Sequence, residues 1–431
     1  MRNQEMKTSL RNDQISSLCR RAAAQGAVLL KNEDAVLPLS SNDRAAVFGR
    51  CQKEYYRSGT GSGGAVNVRY TTNLLDGLRD AGVRVNEELA ACYEKWIAAH
   101  PFDNGGGGWA CEPWCQQEMP LPQELAAKAA AVSDKAVVVI GRTAGEDKDN
   151  AAEEGSYYLT RTETEMLGCV CSHFKDVIVV LNVANIIDMG FVQDRPQIKA
   201  VVYAWQGGIE GGNGIADVLT GKEVFQGKLT DTIARRITDY PADKNHGGKT
   251  KNVYQEDIYV GYRYFESFDK EAVLYPFGYG LSYTEFSISD SAVRVNGSGA
   301  DMTFVFCCKV KNTGTRYSGR ETVQLYVEGP QGSMGRPARE LIGFAKTGKL
   351  GCLEAEEIQI EIPAYRLAAF DDSGVSGYRN AYVLEAGVYR FYAGKNVRDT
   401  EEVPVNGTDT WQLAETLLIV QCEEAMAPTE E

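Results

Sequence analysis

Residues 135–147 read KAVVVIGRTAGED, an unbroken apolar run that ends on a glycine and passes into a loop carrying a second glycine and two carboxylates. A run of this length with no polar alternation is the pattern of a strand covered on both faces, as in a parallel sheet flanked by helices. Similar runs occur at residues 45–48, 83–85, 177–182 and 199–204. Helix signals separate them. Thr71 is placed to cap a helix bearing Leu74, Leu75 and Leu78 that stops at Gly82, and Thr160 with Glu163 forms a capping box ahead of Met166 and Leu167. The alternation of strand and helix predicts an open, mostly parallel α/β sandwich over residues 1–281. Gly105 to Gly108, followed by Trp109 and Trp114, reads as an inserted surface loop.

Past YPFGYGLSYTEF (275–286) the texture changes to alternating strands at 302–310, 322–327, 358–362 and 388–393, with Asn312-Thr313-Gly314 as a turn. This predicts a β-sandwich over residues 282–406. Residues 407–431, with one short apolar segment and the acidic ending QCEEAMAPTEE, read as a linker or tail.

The chain's 431 residues are 43% hydrophobic and 24% charged, the balance of an ordinary globular protein. Forty-five Lys and Arg against 59 Asp and Glu give a formal charge of −14, which repels polyanions and argues against a nucleic-acid partner. No apolar stretch approaches the roughly 20 residues of a membrane helix. The polar start MRNQEMKTSLRNDQISS lacks the apolar core of a signal peptide, so a cytoplasmic location is expected. Eleven cysteines without regular spacing fit free thiols in a reducing compartment. Cys111 and Cys115 are half of a zinc pattern with no second pair, and no metal or cofactor is expected.

Ligands of open α/β sheets bind beyond the carboxyl ends of the strands. Four segments leave that edge: residues 57–64 (RSGTGSGG), 142–147 (RTAGED), Asn182, and 205–208 (WQGG). Gly59, Gly61 and Gly64 have dinucleotide-fingerprint spacing but begin some ten residues after their strand, so they read instead as backbone able to approach a polar ligand closely. Gly247-Gly248-Lys249-Thr250 lacks the first glycine of a phosphate loop, since Asp243 stands there. Glu146, between glycine hinges and beside Asp147, Asp149, Glu153 and Glu154, is placed to act as a general acid over a cleft.

At this point a family resemblance is evident. AAAQGAVLLKNEDAVLPL (22–39), RSGTGSG (57–63), RTAGED (142–147), AWQGGIEGGNGIADVLTGK (204–222) and EDIYVGYRYFE with YPFGYGLSYTEF (256–286) resemble the α/β-sandwich domain of glycoside hydrolase family 3. KNTGTRYSGRETVQLYV (311–327) and RPARELIGFAKTGKL (336–350) resemble its fibronectin type III-like domain. The resemblance implies a retaining exo-β-glycosidase of β-glucosidase type acting on small glucosides or oligosaccharides. Glu146 then falls at the acid/base position, Ser62 in a loop framing the sugar, and Arg142 at a substrate-binding position in support of the same loop. Asp147-Lys148-Asp149-Asn150 departs from the family's usual run after the glutamate, which keeps Glu153 and Glu154 as alternative acids.

The family's (β/α)8 barrel, which supplies the nucleophilic aspartate, has no room before residue 22. GKLTDTIARRITDYPAD (227–243) resembles the branch in which the barrel follows, so a barrel partner in cis or in trans is expected. An apolar face left for it would also permit a homo-oligomer. The other reading is a non-catalytic carbohydrate-binding or assembly module on the same fold.

Overall fold

The computed structural model describes residues 2–64, 66–248 and 250–423, and their side chains from residue 13 onward. Lys249 of the rejected phosphate-loop motif and residues 424–431 of the expected tail lie outside the described residues. Two compact units form.

The first unit comprises residues 1–228, 235–237 and 280–283. Its sheet contains β1 (Val28–Asn32), β2 (Arg44–Phe48), β3 (Arg84–Val85), β4 (Lys135–Arg142), β5 (Val177–Val183) and β6 (Ile198–Tyr203). The strand order is β1-β6-β5-β4-β2-β3. Neighbours from β6 through to β3 run parallel, with Ala136 opposite Val177 and Ala45 opposite Lys135. All of β5 and all but the first residue of β4 are buried, so their unalternating apolar sequences follow from having no solvent face.

The sixth strand, β1, was not foreseen. It pairs antiparallel with β6, Val28 opposite Tyr203, and its residues follow the helix α1 (Arg2–Gly26) after a single alanine. Apolar residues at that junction serve helix and strand alike, and periodicity does not divide them.

The other helices are α2 (Leu74–Asp80), α3 (Glu87–Ala99), α4 (Gln123–Val132), α5 (Arg161–His173), α6 (Gly190–Gln193) and α7 (Gly211–Leu219). α5 begins with the expected capping box of Thr160 and Glu163. At α2 the cap is Asn73 and not Thr71: the Asn73 side chain accepts from the Asp76 amide at 2.9 Å, and the helix starts at the next residue. Beneath the sheet, Arg20 on α1 forms a bidentate pair with buried Asp217 on α7 at 2.5 and 2.6 Å.

The second unit holds residues 229–234, 238–279 and 284–431, so a stretch that precedes the sandwich in sequence groups with it in space. It starts with β7 (Ile233–Ala234), α8 (Tyr262–Phe268) and β8 (Val273–Tyr275), β7 pairing with β8. The sandwich follows. One sheet has the order β13 (Ala355–Pro363), β10 (Thr303–Asn312), β9 (Phe286–Asn296). The facing one runs β12 (Glu340–Lys346), β11 (Thr322–Glu328), β16 (Gly387–Gly394), β17 (Thr400–Val403). β10 alternates as a one-sided strand must, sending Phe304, Phe306, Cys308 and Val310 into a core with Val323, Leu325 and Phe391.

A third sheet joins β14 (Ala369–Asp371), β15 (Ala381–Leu384) and β19 (Leu417–Gln421). Here the expected linker is corrected. β18 (Trp411–Leu413) pairs with β16 and β19 with β15, and Leu413 joins the sandwich core, so residues 411–421 are part of the fold. Their three- and five-residue lengths left little pattern to read.

Candidate active site

One buried amide gathers three of the four segments at the carboxyl edge of the sheet. Asn182, near the end of β5, accepts from the Tyr56 amide at 2.7 Å and donates to the carbonyls of Tyr56 and Trp205 at 2.9 and 2.7 Å. Gln206 reaches the fourth by donating to the Arg142 carbonyl at 3.2 Å, and the Gly208 amide donates to the Arg57 carbonyl at 2.9 Å. The convergence expected from strand order is present.

Within it the glycine loop lies directly on the glutamate loop. The Thr60 amide donates to the Ala144 carbonyl at 3.0 Å, and Ser62 offers its amide and hydroxyl to Glu146 Oε2 at 3.0 and 2.9 Å. Two glycines make this approach possible. Gly61 sits at φ 86°, where a Cβ would stand 2.3 Å from that of Glu146; Gly145 sits at φ 150°, where a Cβ would stand 2.6 Å from the Thr60 carbonyl oxygen. Glu146 itself is exposed, and among the described residues its Oε1 accepts no hydrogen bond. The arrangement fixes one oxygen of a carboxyl group and leaves the other toward solvent, which suits exchange of a proton with a bound molecule.

Arg142 is enclosed by its hydrogen-bond partners. It is 2% exposed, and all five of its N–H donors are engaged: two on the Glu163 carboxylate at 2.7 Å each, the others on the carbonyls of Gly141, Ser156 and Tyr158. Burial opposes its charge, but the adjoining carboxylate outweighs burial and holds the guanidinium above its ordinary range. With all five donors engaged inside the protein, Arg142 braces the strand end and turn that lead to Glu146.

The unusual run after Glu146 is also accounted for. Asn150 donates to the Ile186 carbonyl at 2.9 Å and accepts from the Ser156 hydroxyl at 3.0 Å, closing the loop with neutral bonds. Glu154 accepts from the Arg161 amide at the start of α5 at 3.1 Å. Among the described residues, neither Glu153 nor Glu154 is bonded to the glycine loop.

The part that sequence reasoning missed is a second support on the open side. Trp109 donates through Nε1 to Asp147 at 2.7 Å, Trp114 donates to the Asp149 carbonyl at 2.9 Å, and the Lys148 ammonium lies 4.7 Å from the Trp114 ring centre. The inserted loop is therefore a clasp on the glutamate loop. Its base is pinned by Arg50, which donates to the carbonyls of His100 and Gln117 at 3.0 and 2.6 Å. Glu118 completes the base by accepting from the amides of Arg50 and Met119 at 2.9 and 2.7 Å. Burial raises the Glu118 carboxyl to about 7 in spite of those two bonds. The available signal was two tryptophans in a loop of matching length to an acidic one, but nothing in either sequence states the pairing.

Comparison with known proteins bears on what this edge does. The family model described as the Glycosyl hydrolase family 3 C-terminal domain matches residues 27–283, and that of the Fibronectin type III-like domain matches residues 321–397. A beta-glucosidase of Ruminococcus albus is 49% identical over 405 residues, covering 94% of this chain and 41% of the relative. Beta-glucosidase A of Butyrivibrio fibrisolvens is 37% identical, covering 95% of this chain and 52% of the relative. A solved beta-glucosidase structure from Paenibacillus barengoltzii superposes with a TM-score of 0.94 at 53% identity, over 96% of this chain and 45% of that one. The chain thus spans about half the length of the relatives it matches.

Proposed function

The chain belongs to glycosyl hydrolase family 3, and from that premise we propose that it forms the acid/base half of a retaining exo-β-glycosidase acting on small β-glucosides or oligosaccharide ends. The observation that carries the reading is the Ser62–Glu146 pair, an exposed carboxyl group held by one oxygen at the ligand edge of the sheet. Glu146 protonates the departing glycosidic oxygen while an aspartate of a (β/α)8 barrel, in cis or in trans, attacks the anomeric carbon; Glu146 then activates water to release the sugar. For a retaining reaction the two carboxyls stand ~5–5.5 Å apart, so the barrel must close over this edge. Ser62 and the Trp109–Trp114 clasp keep the acid in register for that approach.

The test is a reconstituted enzyme with the barrel supplied. Glu146→Gln should slow alkyl glucosides and disaccharides roughly 10²–10⁴-fold, because their alcohol leaving groups need a proton. On an activated aryl glucoside, glycosylation should persist and azide should restore turnover as a β-glycosyl azide. Equal loss on both substrates with no azide product would remove Glu146 from the role. The 431-residue chain alone should fold and leave aryl β-glucosides unhydrolysed; turnover by it alone would mean that the nucleophile lies within it.

A further inference from the structure

The second unit contains a cleft of about 450 Å³, the size range of a small-ligand site, and its lining residues include none of the glycine or glutamate loop. Its walls come from residues 257–263 leading into α8, residues 334–341 leading into β12, and residues 365–372 around β14. Two kinds of group meet there.

The first is an aromatic platform. Tyr365 and Phe370 are 43% and 40% exposed, and both rings pack on Tyr382, with centroids 4.8 and 5.1 Å away. Phe370 and Tyr382 are cross-strand partners of β14 and β15, so the platform rests on paired backbone. Large aromatic side chains left on the outside of a sheet, in mutual contact and beside a cleft, are poorly explained by packing.

The second is a set of balanced charges. Arg263, Arg336 and Arg366 line the cleft, and so do Asp257, Glu340 and Asp372. Arg336 is 4% exposed, donates to Glu340 through Nε and Nη2, and among the described residues has no acceptor for Nη1. Asp372 is carried on a turn made rigid by its neighbour: Asp371 accepts from the amides of Ser373, Gly374 and Ser376 at 3.0, 2.6 and 2.7 Å. Three arginines against three carboxylates leave no net positive charge to favour an anion. A neutral polyhydroxylated ring fits both kinds of group, its hydroxyls using arginine donors and carboxylate acceptors while its C–H face lies on an aromatic ring.

We propose that this cleft is a second, non-reacting carbohydrate site, in which a pyranose unit of a β-linked gluco-oligosaccharide lies on the Tyr365–Phe370–Tyr382 platform with its hydroxyls turned to Arg366 and Asp372. Equatorial substituents give such sugars the flat apolar face that an aromatic platform recognises.

Calorimetric titration of the 431-residue chain with cellopentaose tests it. The wild-type chain should bind, the double variant Tyr365→Ala/Phe370→Ala should bind at least tenfold more weakly, and Phe344→Ala, which removes a ring 66% exposed and outside the cleft, should bind as the wild type does. Should the double variant fail to unfold cooperatively, Arg366→Ala/Asp372→Ala replaces it with the same expectation. Absence of binding at millimolar sugar overturns the proposal, as does wild-type affinity in the cleft variants, whatever becomes of Glu146. Binding of inorganic phosphate without binding of cellopentaose overturns it in favour of an anion site.

Discussion

Glu146 and Glu163 both follow β4, and they show opposite uses of a carboxylate. Glu163 is buried, and both of its oxygens accept from Arg142 at 2.7 Å. Glu146 is exposed and held through one oxygen only. A group with all its bonding capacity satisfied inside the protein serves the fold, whereas one with capacity turned outward is available to a ligand. Both glutamates belong to one construction, since the Arg142–Glu163 pair carries the strand end and turn on which Glu146 stands.

The sharpest way to break this comparison is to treat the buried pair as the exposed one. Arg142→Met leaves Glu163 charged and buried without its cation, and unfolding in urea should show a loss of about 3–5 kcal/mol. Arg142→Met/Glu163→Met should recover much of it, because a neutral pair leaves no uncompensated charge. If the single and double variants are equally unstable, the ion pair is not what burial protects.

Next in size is Glu118, at the base of the tryptophan clasp. Its carboxyl is raised to about 7 by burial, so the folded chain binds a proton that the unfolded chain releases at lower pH. Its contribution to stability is thus present in full below the ordinary carboxylate range and is lost as pH rises through about 7. Between pH 5 and pH 8 the wild type should lose on the order of 1–3 kcal/mol that Glu118→Gln does not lose. Parallel stability curves for the two proteins would reject the assignment.

Trp109→Phe sharpens the other side of the comparison by removing only the indole donor to Asp147. The cost should be about 0.5–1.5 kcal/mol, confined to the loop. Amide hydrogen exchange over residues 146–150 should accelerate while global unfolding stays unchanged; uniform acceleration would show that the clasp supports the whole unit. The smallest effect belongs to Glu146→Ala, which should alter stability by less than about 0.5 kcal/mol, as expected of an exposed side chain serving chemistry. A large loss there would erase the distinction between the two glutamates.

These particular residues also show what the sequence made legible. The buried strands β4 and β5 were readable because burial on both faces leaves only apolar residues, and strand order then placed Ser62 and Glu146 at one edge. The surroundings of Arg142 were not legible because an arginine near a site reads alike whether its donors face a ligand or neighbouring carbonyls; only the structure shows all five donors engaged within the protein. The clasp of Trp109 and Trp114 was hidden for a related reason, since a contact between two irregular loops has no period. The strands beyond residue 407 were too short to show alternation, and they exist through pairing with β15 and β16.

The joint at Asn182 has a consequence for how this edge changes over time. Its amide reads the backbone N–H and C=O of residue 56 and the backbone C=O of residue 205, groups that nearly every amino acid supplies. Mutations that alter the side chains at those two positions leave the joint intact, while insertions or deletions there shift the backbone atoms it holds. The joint therefore constrains the length of these loops more directly than it constrains their side chains.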